Sequence, residues 1–134
     1  MTRRKVSLPQ LGDLEVAVLE HLWDAGEADV LQTHAAVGKK RGITPNTVGS
    51  ALERLFKKRL VRRHKVSHAF RYTPVLGRDE YAARRVLEAA GGLGALSSAG
   101  LLSAFVDLVA DVDEEALERL EALIVERRQD RGSN

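Results

Sequence analysis

Apolar residues in this chain recur every three or four positions from Leu11 to Leu55, and then alternate with polar ones between Val61 and Tyr72. That change of period sets the order of elements: helices first, then a pair of half-buried strands. Leu11, Leu14, Val18 and Leu22 form the first helical stripe, widened by Ala17, Leu19 and Trp23. Gly12 or Asp13 can cap its start, and Gly26 is a natural stop. Asp29 can cap a short second helix carrying Val30, Leu31, His34, Ala35 and Val37, which the run Gly38–Gly42 breaks. Thr44 suits the N-cap of a third helix, and Pro45 follows where its missing N–H costs nothing. The stripe of this third helix is Val48, Leu52 and Leu55. Val61-Arg62 and Phe70-Arg71-Tyr72 then alternate on either side of a Ser67-His68 turn, and Pro74 closes the second strand because proline cannot continue a central ladder.

Three helices and a hairpin in this order describe a winged helix-turn-helix, in a mainly α protein. In that arrangement the third helix enters the major groove of DNA and the hairpin lies along the neighbouring backbone. The charges agree. Residues 1–76 hold 14 Lys and Arg against 7 Asp and Glu, a net +7, whereas residues 77–134 hold 7 against 12, a net −5. Between Lys39 and Lys65 there are 10 basic residues and one acid, Glu53. Such a half suits a polyanion, and phosphate contacts supply most of a DNA-binding protein's affinity.

Asn46, Thr47 and Ser50 are the candidate base readers, being small polar groups in the first turns of the third helix. Asn46 and Thr47 also fit a plain capping role. Lys57, Lys58, Arg62, Arg63, Lys65 and Arg71 are the candidate phosphate contacts. Arg54 can reach DNA or pair with Glu15 or Glu53, and His68 at the hairpin turn is a further possible DNA contact. Arg3, Arg4 and Lys5 fit either an arm along the duplex or a free tail. His64 and His68 lack third and fourth partners nearby in sequence, so no metal is expected. His21 and His34 read as structural, Trp23 and Tyr72 as core.

The composition changes after Gly77. A helix from Arg78 to Ala90 carries Tyr81, Val86 and Leu87, and Gly91-Gly92-Leu93-Gly94 breaks it. A strongly apolar helix follows with Leu101, Leu102, Phe105, Leu108 and Val109. A last helix, opened by Asp113 and acids that suit its N-terminus, carries Leu117, Leu120, Leu123 and Ile124. These two helices offer more apolar surface than a ~55-residue appendage can cover alone, which predicts a homodimer sharing it across a twofold axis. The expected organisation is a DNA-binding domain over 8–76, a helical dimerisation region over 77–129, and flexible termini at 1–7 and 130–134.

Other classes fit poorly. The chain has no cysteine, which removes disulfides, thiolate metal sites and cysteine nucleophiles. No apolar run approaches the ~20 residues of a membrane span, and the basic start lacks the apolar core of a signal peptide, so the expected location is cytoplasmic. Gly91–Gly94 lacks the strand and later glycine of a phosphate loop, and no nucleophile–base set has supporting context. No enzyme and no cofactor are expected. A winged helix that binds a protein partner would show apolar residues on the exposed face of its third helix, which here is polar and basic. A nonspecific architectural DNA binder needs the same basic surface as a specific regulator.

The residues also resemble a family. Leu11-Gly-Asp-Leu-Glu15 and Leu22-Trp23, then Thr47-Val48, Leu52-Glu-Arg-Leu55, Lys57-Lys58, Leu60-Val61, Phe70-Arg-Tyr72 with Pro74, and Arg78-Asp79-Glu80 follow one another as in the penicillinase-repressor (BlaI/MecI/CopY) family of bacterial transcriptional regulators. The resemblance runs from about Leu8 to Glu80, with later helices alike in pattern. It implies a homodimer that binds a pseudo-palindromic double-stranded operator through its winged helices, represses transcription, and answers to an inducer or sensor. The chain departs from the family in three places. Ala104 precedes Phe105 where some members carry the Asn of a cleavable Asn-Phe bond, and the paired cysteines of copper-responsive members are absent. Arg59 stands where the family usually has Gly at a helix end that favours a left-handed backbone.

Overall fold

The computed structural model describes residues 8–132, so the basic segment Arg3–Lys5 and the expected flexible end at 133–134 lie outside it. Helix α1 spans Asp13–Ala25, with Gly12 as its N-cap and Gly26 at φ +83° as its stop. Asp29 caps α2 (Val30–Thr33), its carboxylate accepting from the Gln32 N–H at 2.8 Å while Gln32 answers to the Asp29 N–H at 3.0 Å. The break expected in the run Gly38–Gly42 falls at its end and not at Gly38. A wide helical turn over His34–Gly38 and a tight one over Lys39–Arg41 carry the chain on to Gly42, which stops it at φ +68°. Gly38 is needed there for a different reason: a Cβ would lie 2.4 Å from the His34 ring and 3.0 Å from Val48, so the absent side chain lets this turn pack directly on the next helix.

Helix α3 (Pro45–Lys57) begins as its sequence predicts, with the Thr44 hydroxyl accepting from the Thr47 N–H at 3.2 Å. Strands β1 (Val61–Val66) and β2 (Ala69–Pro74) form an antiparallel hairpin in which Val66 faces Ala69 and Val61 faces Pro74. Ser67 adopts φ +58°, which lets a turn without glycine close the hairpin in two residues. Tyr72 exchanges both backbone hydrogen bonds with Ala28, at 2.8 and 3.1 Å, so the segment between α1 and α2 adds a third rung to the wing.

The core of this part is the inward face of each element: Val18, Leu19 and Leu22 from α1, Val37, then Val48, Ala51, Leu52 and Leu55 from α3, closed by Leu60, Val61 and Tyr72. Helix α4 (Arg78–Ala89) packs with it. Tyr81 lies 5.3 Å from the Trp23 ring, the Trp23 indole N–H donates to the Leu76 carbonyl at 2.9 Å, and Arg78 bonds Asp24 at 2.7 Å. The compact unit is Met1–Ala89, extending past Gly77 where the composition changes.

The second unit is Ala90–Asn134. It holds α5 (Ala99–Val112), capped by the Ser98 hydroxyl, and α6 (Glu114–Gly132), whose first turn is held by Asp113 accepting from the Ala116 N–H at 3.2 Å. Helix α6 continues through Asp130–Gly132, where the sequence suggested a flexible end. No residue of α5 or α6 is buried.

Arg59, just beyond α3, sits at φ +63° and donates its N–H to the Phe56 carbonyl. The left-handed backbone expected at this position is therefore present, with a side chain that disfavours it. Arg59→Gly is expected to stabilise the first unit by about 0.5–1 kcal/mol, read as a rise in the urea midpoint without DNA. An unchanged or lower midpoint would show that the arginine costs nothing there.

Candidate nucleic-acid interface

The buried stripe of α3 leaves its other side to solvent. Asn46, Thr47 and Ser50 are all exposed at its N-terminal end. Thr47 is partly committed, because its backbone N–H and hydroxyl both engage the Thr44 hydroxyl, the latter at 3.1 Å. Among the described residues, Asn46 and Ser50 have no side-chain hydrogen-bond partner and stand ready to meet an external group.

The basic candidates separate into two sets. Lys57, Arg62 and Lys65 are exposed and make no ion pair with a described residue, as do Lys39, Lys40, Arg41 and Arg59. A groove of about 630 Å³ between the end of α3 and β1 is lined by Phe56, Lys57, Arg59, Val61, Arg62, Arg63 and Val75. His68 is exposed at the tip of the hairpin.

The other set is held within the protein. The Lys58 ammonium donates to Glu15 Oε2 at 2.7 Å and to the Gln10 carbonyl at 2.8 Å. Arg54 Nε lies 3.6 Å from Glu15 Oε1, the intramolecular pairing weighed against a DNA contact above. Arg63 pairs with Glu53, and Arg71 pairs with Glu27 and lies 3.9 Å from Asp29. His64 lies 3.7 Å from the same Glu27 carboxylate. Glu15, Glu27 and Glu53 therefore organise the basic surface, and their partners stand 43, 44 and 10 positions away in the chain. Glu53 lies inside the basic stretch and Glu15 was weighed as a partner for Arg54, whereas local spacing carried no signal for Glu27.

Glu15 is the buried member of this set, 6% exposed. Burial pushes its carboxyl up. The hydrogen bonds from Lys58 and the Gly12 N–H, with the charges of Lys58 and Arg54, outweigh that and hold it below the ordinary carboxylate value. His34, read as structural, bonds the Ile43 carbonyl at 2.7 Å through Nε2 and steadies the turn before α3. Among the described residues no three His, Asp or Glu side chains gather as a metal site, and no helix is long and apolar enough to cross a membrane.

Six of the nine apolar residues expected to pair two copies of the chain lie exposed in the second unit: Leu101, Leu102, Phe105, Leu108, Leu123 and Ile124. Val109, Leu117 and Leu120 are half-buried.

Comparison with known proteins agrees with this architecture. The family model described as penicillinase repressor matches residues 11–126. The transcriptional regulator BlaI of Mycobacterium tuberculosis is 40% identical over 114 residues, covering 84% of this chain and 83% of that protein. The penicillinase repressor of Bacillus licheniformis is 28% identical over 74 residues, 55% of this chain and 58% of that one. The solved DNA-binding domain of the repressor BlaI superposes with a TM-score of 0.50 at 28% identity, covering 56% of this chain and 92% of that domain. With a match over most of its length and a relative at 40% identity across both chains, this protein belongs to the penicillinase-repressor family, a family of transcriptional repressors and not of enzymes.

Proposed function

We propose that this protein represses transcription as a homodimer that reads a pseudo-palindromic operator in the bacterial cytoplasm. The observation that supports the reading is α3: one face buried, the other presenting exposed Asn46 and Ser50 at its start and Lys57 at its end, with Arg62 and Lys65 exposed on the following strand. Asn46 reads a base edge, Ser50 supports it, and Thr47 acts chiefly through the Thr44 cap. Lys57, Arg62 and Lys65 hold phosphates, His68 approaches the backbone from the wing tip, and the exposed Lys39, Lys40 and Arg41 add to the same field. Two copies joined through α5 and α6 set their recognition helices about one turn of DNA, or a multiple of it, apart. With Ala104 ahead of Phe105, repression ends by an inducer or sensor that does not cut an Asn-Phe bond.

The test is recovery of sheared genomic DNA on purified protein at about 150 mM salt, followed by sequencing. A few sharp peaks sharing a twofold-symmetric motif are expected, with affinity falling linearly in log salt. Uniform recovery would overturn the specific reading in favour of an architectural role. Asn46→Ala should relax preference at one position of each half-site, at a cost of about 1–3 kcal/mol on the preferred sequence. Unchanged preference would reduce Asn46 to a helix-start residue.

A further inference from the structure

Arg63 lies on β1 in the middle of the basic surface, yet its surroundings differ from those of its neighbours. Its guanidinium carbon is 3.9 Å from the centre of the Phe56 ring and 4.4 Å from that of Phe70. Both are contact distances for a cation against a π face. Its Nη1 also pairs with Glu53 Oε2, and the side chain is only 25% exposed. Phe56 and Glu53 belong to α3, the helix that offers Asn46 and Ser50, whereas Phe70 belongs to β2. Phe70 in turn meets the Tyr72 ring edge-on at 6.5 Å, and Tyr72 is buried in the core. One side chain thus touches the recognition helix and the far strand of the wing at once.

We propose that Arg63 is a positioning residue that fixes the wing against the recognition helix, and that it holds no phosphate. The proposal rests on the operator-binding reading above, and it divides residues that charge alone would treat alike. A phosphate drawn to Arg63 would have to displace Glu53 or stand beside its carboxylate, which repels it. Arg62 and Lys65, one and two positions away, are exposed and carry no such partner. The planar guanidinium can lie against two rings while an edge N–H reaches a carboxylate. The ammonium of lysine has no plane to stack, so charge alone cannot replace arginine at this position. The benefit to DNA binding comes from order: a wing already set at one angle presents Arg62, Lys65 and His68 together, without loss of freedom on binding.

The full-length protein and its Arg63→Lys, Arg63→Ala, Phe70→Leu and Lys65→Ala variants can be compared by two readouts. One is operator affinity across a salt series. The other is amide hydrogen exchange in the wing, residues 62–73, without DNA. Arg63→Lys, Arg63→Ala and Phe70→Leu are expected to weaken operator binding roughly three- to tenfold, the scale of one stacking contact. Their salt slopes should match the wild type, and exchange across the wing should quicken in the free protein. Lys65→Ala should lower the slope by about one and leave exchange unchanged. Wild-type affinity and wild-type exchange in Arg63→Lys would overturn the proposal, as would a slope reduced by one in Arg63→Ala. A wild-type protein that prefers no sequence defeats the operator reading instead, and the exchange measurement then decides the clamp by itself.

Discussion

Phe105→Glu combined with Leu108→Glu is expected to leave a monomer whose winged helix remains folded and whose operator affinity falls roughly 10²–10⁴-fold, the range gained by linking two weak contacts. The two side chains are 48% and 64% exposed on α5, so the substitutions bury no charge within one copy of the chain. Across a shared interface they would be costly. Each buried carboxylate would meet the apolar face of the other copy, and the second unit already carries 9 Asp and Glu against 4 Arg over residues 90–134. Stable homodimer interfaces commonly bury about 2,000 Å² or more, and the bare stripe from Leu101 through Ile124 is the apolar surface available for it. Sedimentation gives the mass, and titration against full and half operators gives the affinity. The double variant should bind the two DNAs about equally. A variant that sediments as a dimer would show that another surface joins the copies.

Lys58→Glu should unfold the winged helix more readily, whereas Lys57→Glu, its neighbour, should leave folding alone. Charge and position in sequence suggested the same phosphate role for both. The structure gives Lys58 a partner in Glu15, tying the end of α3 to the start of α1. Reversing the charge sets two carboxylates together and removes the hydrogen bond that offsets burial of Glu15. Breaking a fully buried pair costs about 3–5 kcal/mol; the Lys58 side chain is 28% exposed, so about 2–3 kcal/mol is expected here. Lys57→Glu should shift stability by less than about 0.5 kcal/mol, weaken all DNA alike, and flatten the salt slope.

The acid limb of the stability curve gives a second signature. Glu15 titrates below its ordinary value in the folded protein, so its contribution is fully present above the unfolded value, near 4.5, and is lost as pH falls from there through the folded value. In Lys58→Glu only the Gly12 N–H and Arg54 are left to offset the burial of Glu15, and the new carboxylate repels it, so that part of the limb should flatten or reverse. Urea titrations at pH 7 and pH 4 test both statements. Equal midpoints for Lys58→Glu and the wild type at pH 7 would return Lys58 to the phosphate set.

The helices and the hairpin were legible because their signals are local. Thr44-Pro45, the Asp29 cap, Gly26, and the turn at Ser67-His68 each act within four residues, and the helix starts, the end of α1 and the hairpin turn formed there. The left-handed backbone at Arg59 was anticipated through the family resemblance, since the family usually has Gly at that helix end. The continuation of α2 through Gly38 was not. Glycine reads as a breaker until one sees that Val48, ten positions on, needs the space. The proposed interface was legible as a set of charges and not as individual residues. Charge density pointed to α3 and the wing, but which cations stay free of ion pairs depends on Glu15 and Glu27, brought close only by the packing of α1 against α3 and of the wing against the segment before α2. Aromatic partners of Arg63 were hidden for the same reason, since Phe56 lies in α3 and Phe70 in β2, each seven positions from it.

The absence of any buried residue in α5 and α6 has a consequence for dosage. If two copies pair through these helices, as proposed, a newly made copy carries a folded winged helix and a bare second unit, and that unit is the part most open to proteolysis until a second copy arrives. Pairing depends on the square of the concentration. Under that proposal unpaired chains would be cleared at low expression before they accumulate, and at high expression they would pair and persist. The operator would then see either almost no repressor or a working amount, with the threshold set by how firmly two bare helical faces close on each other.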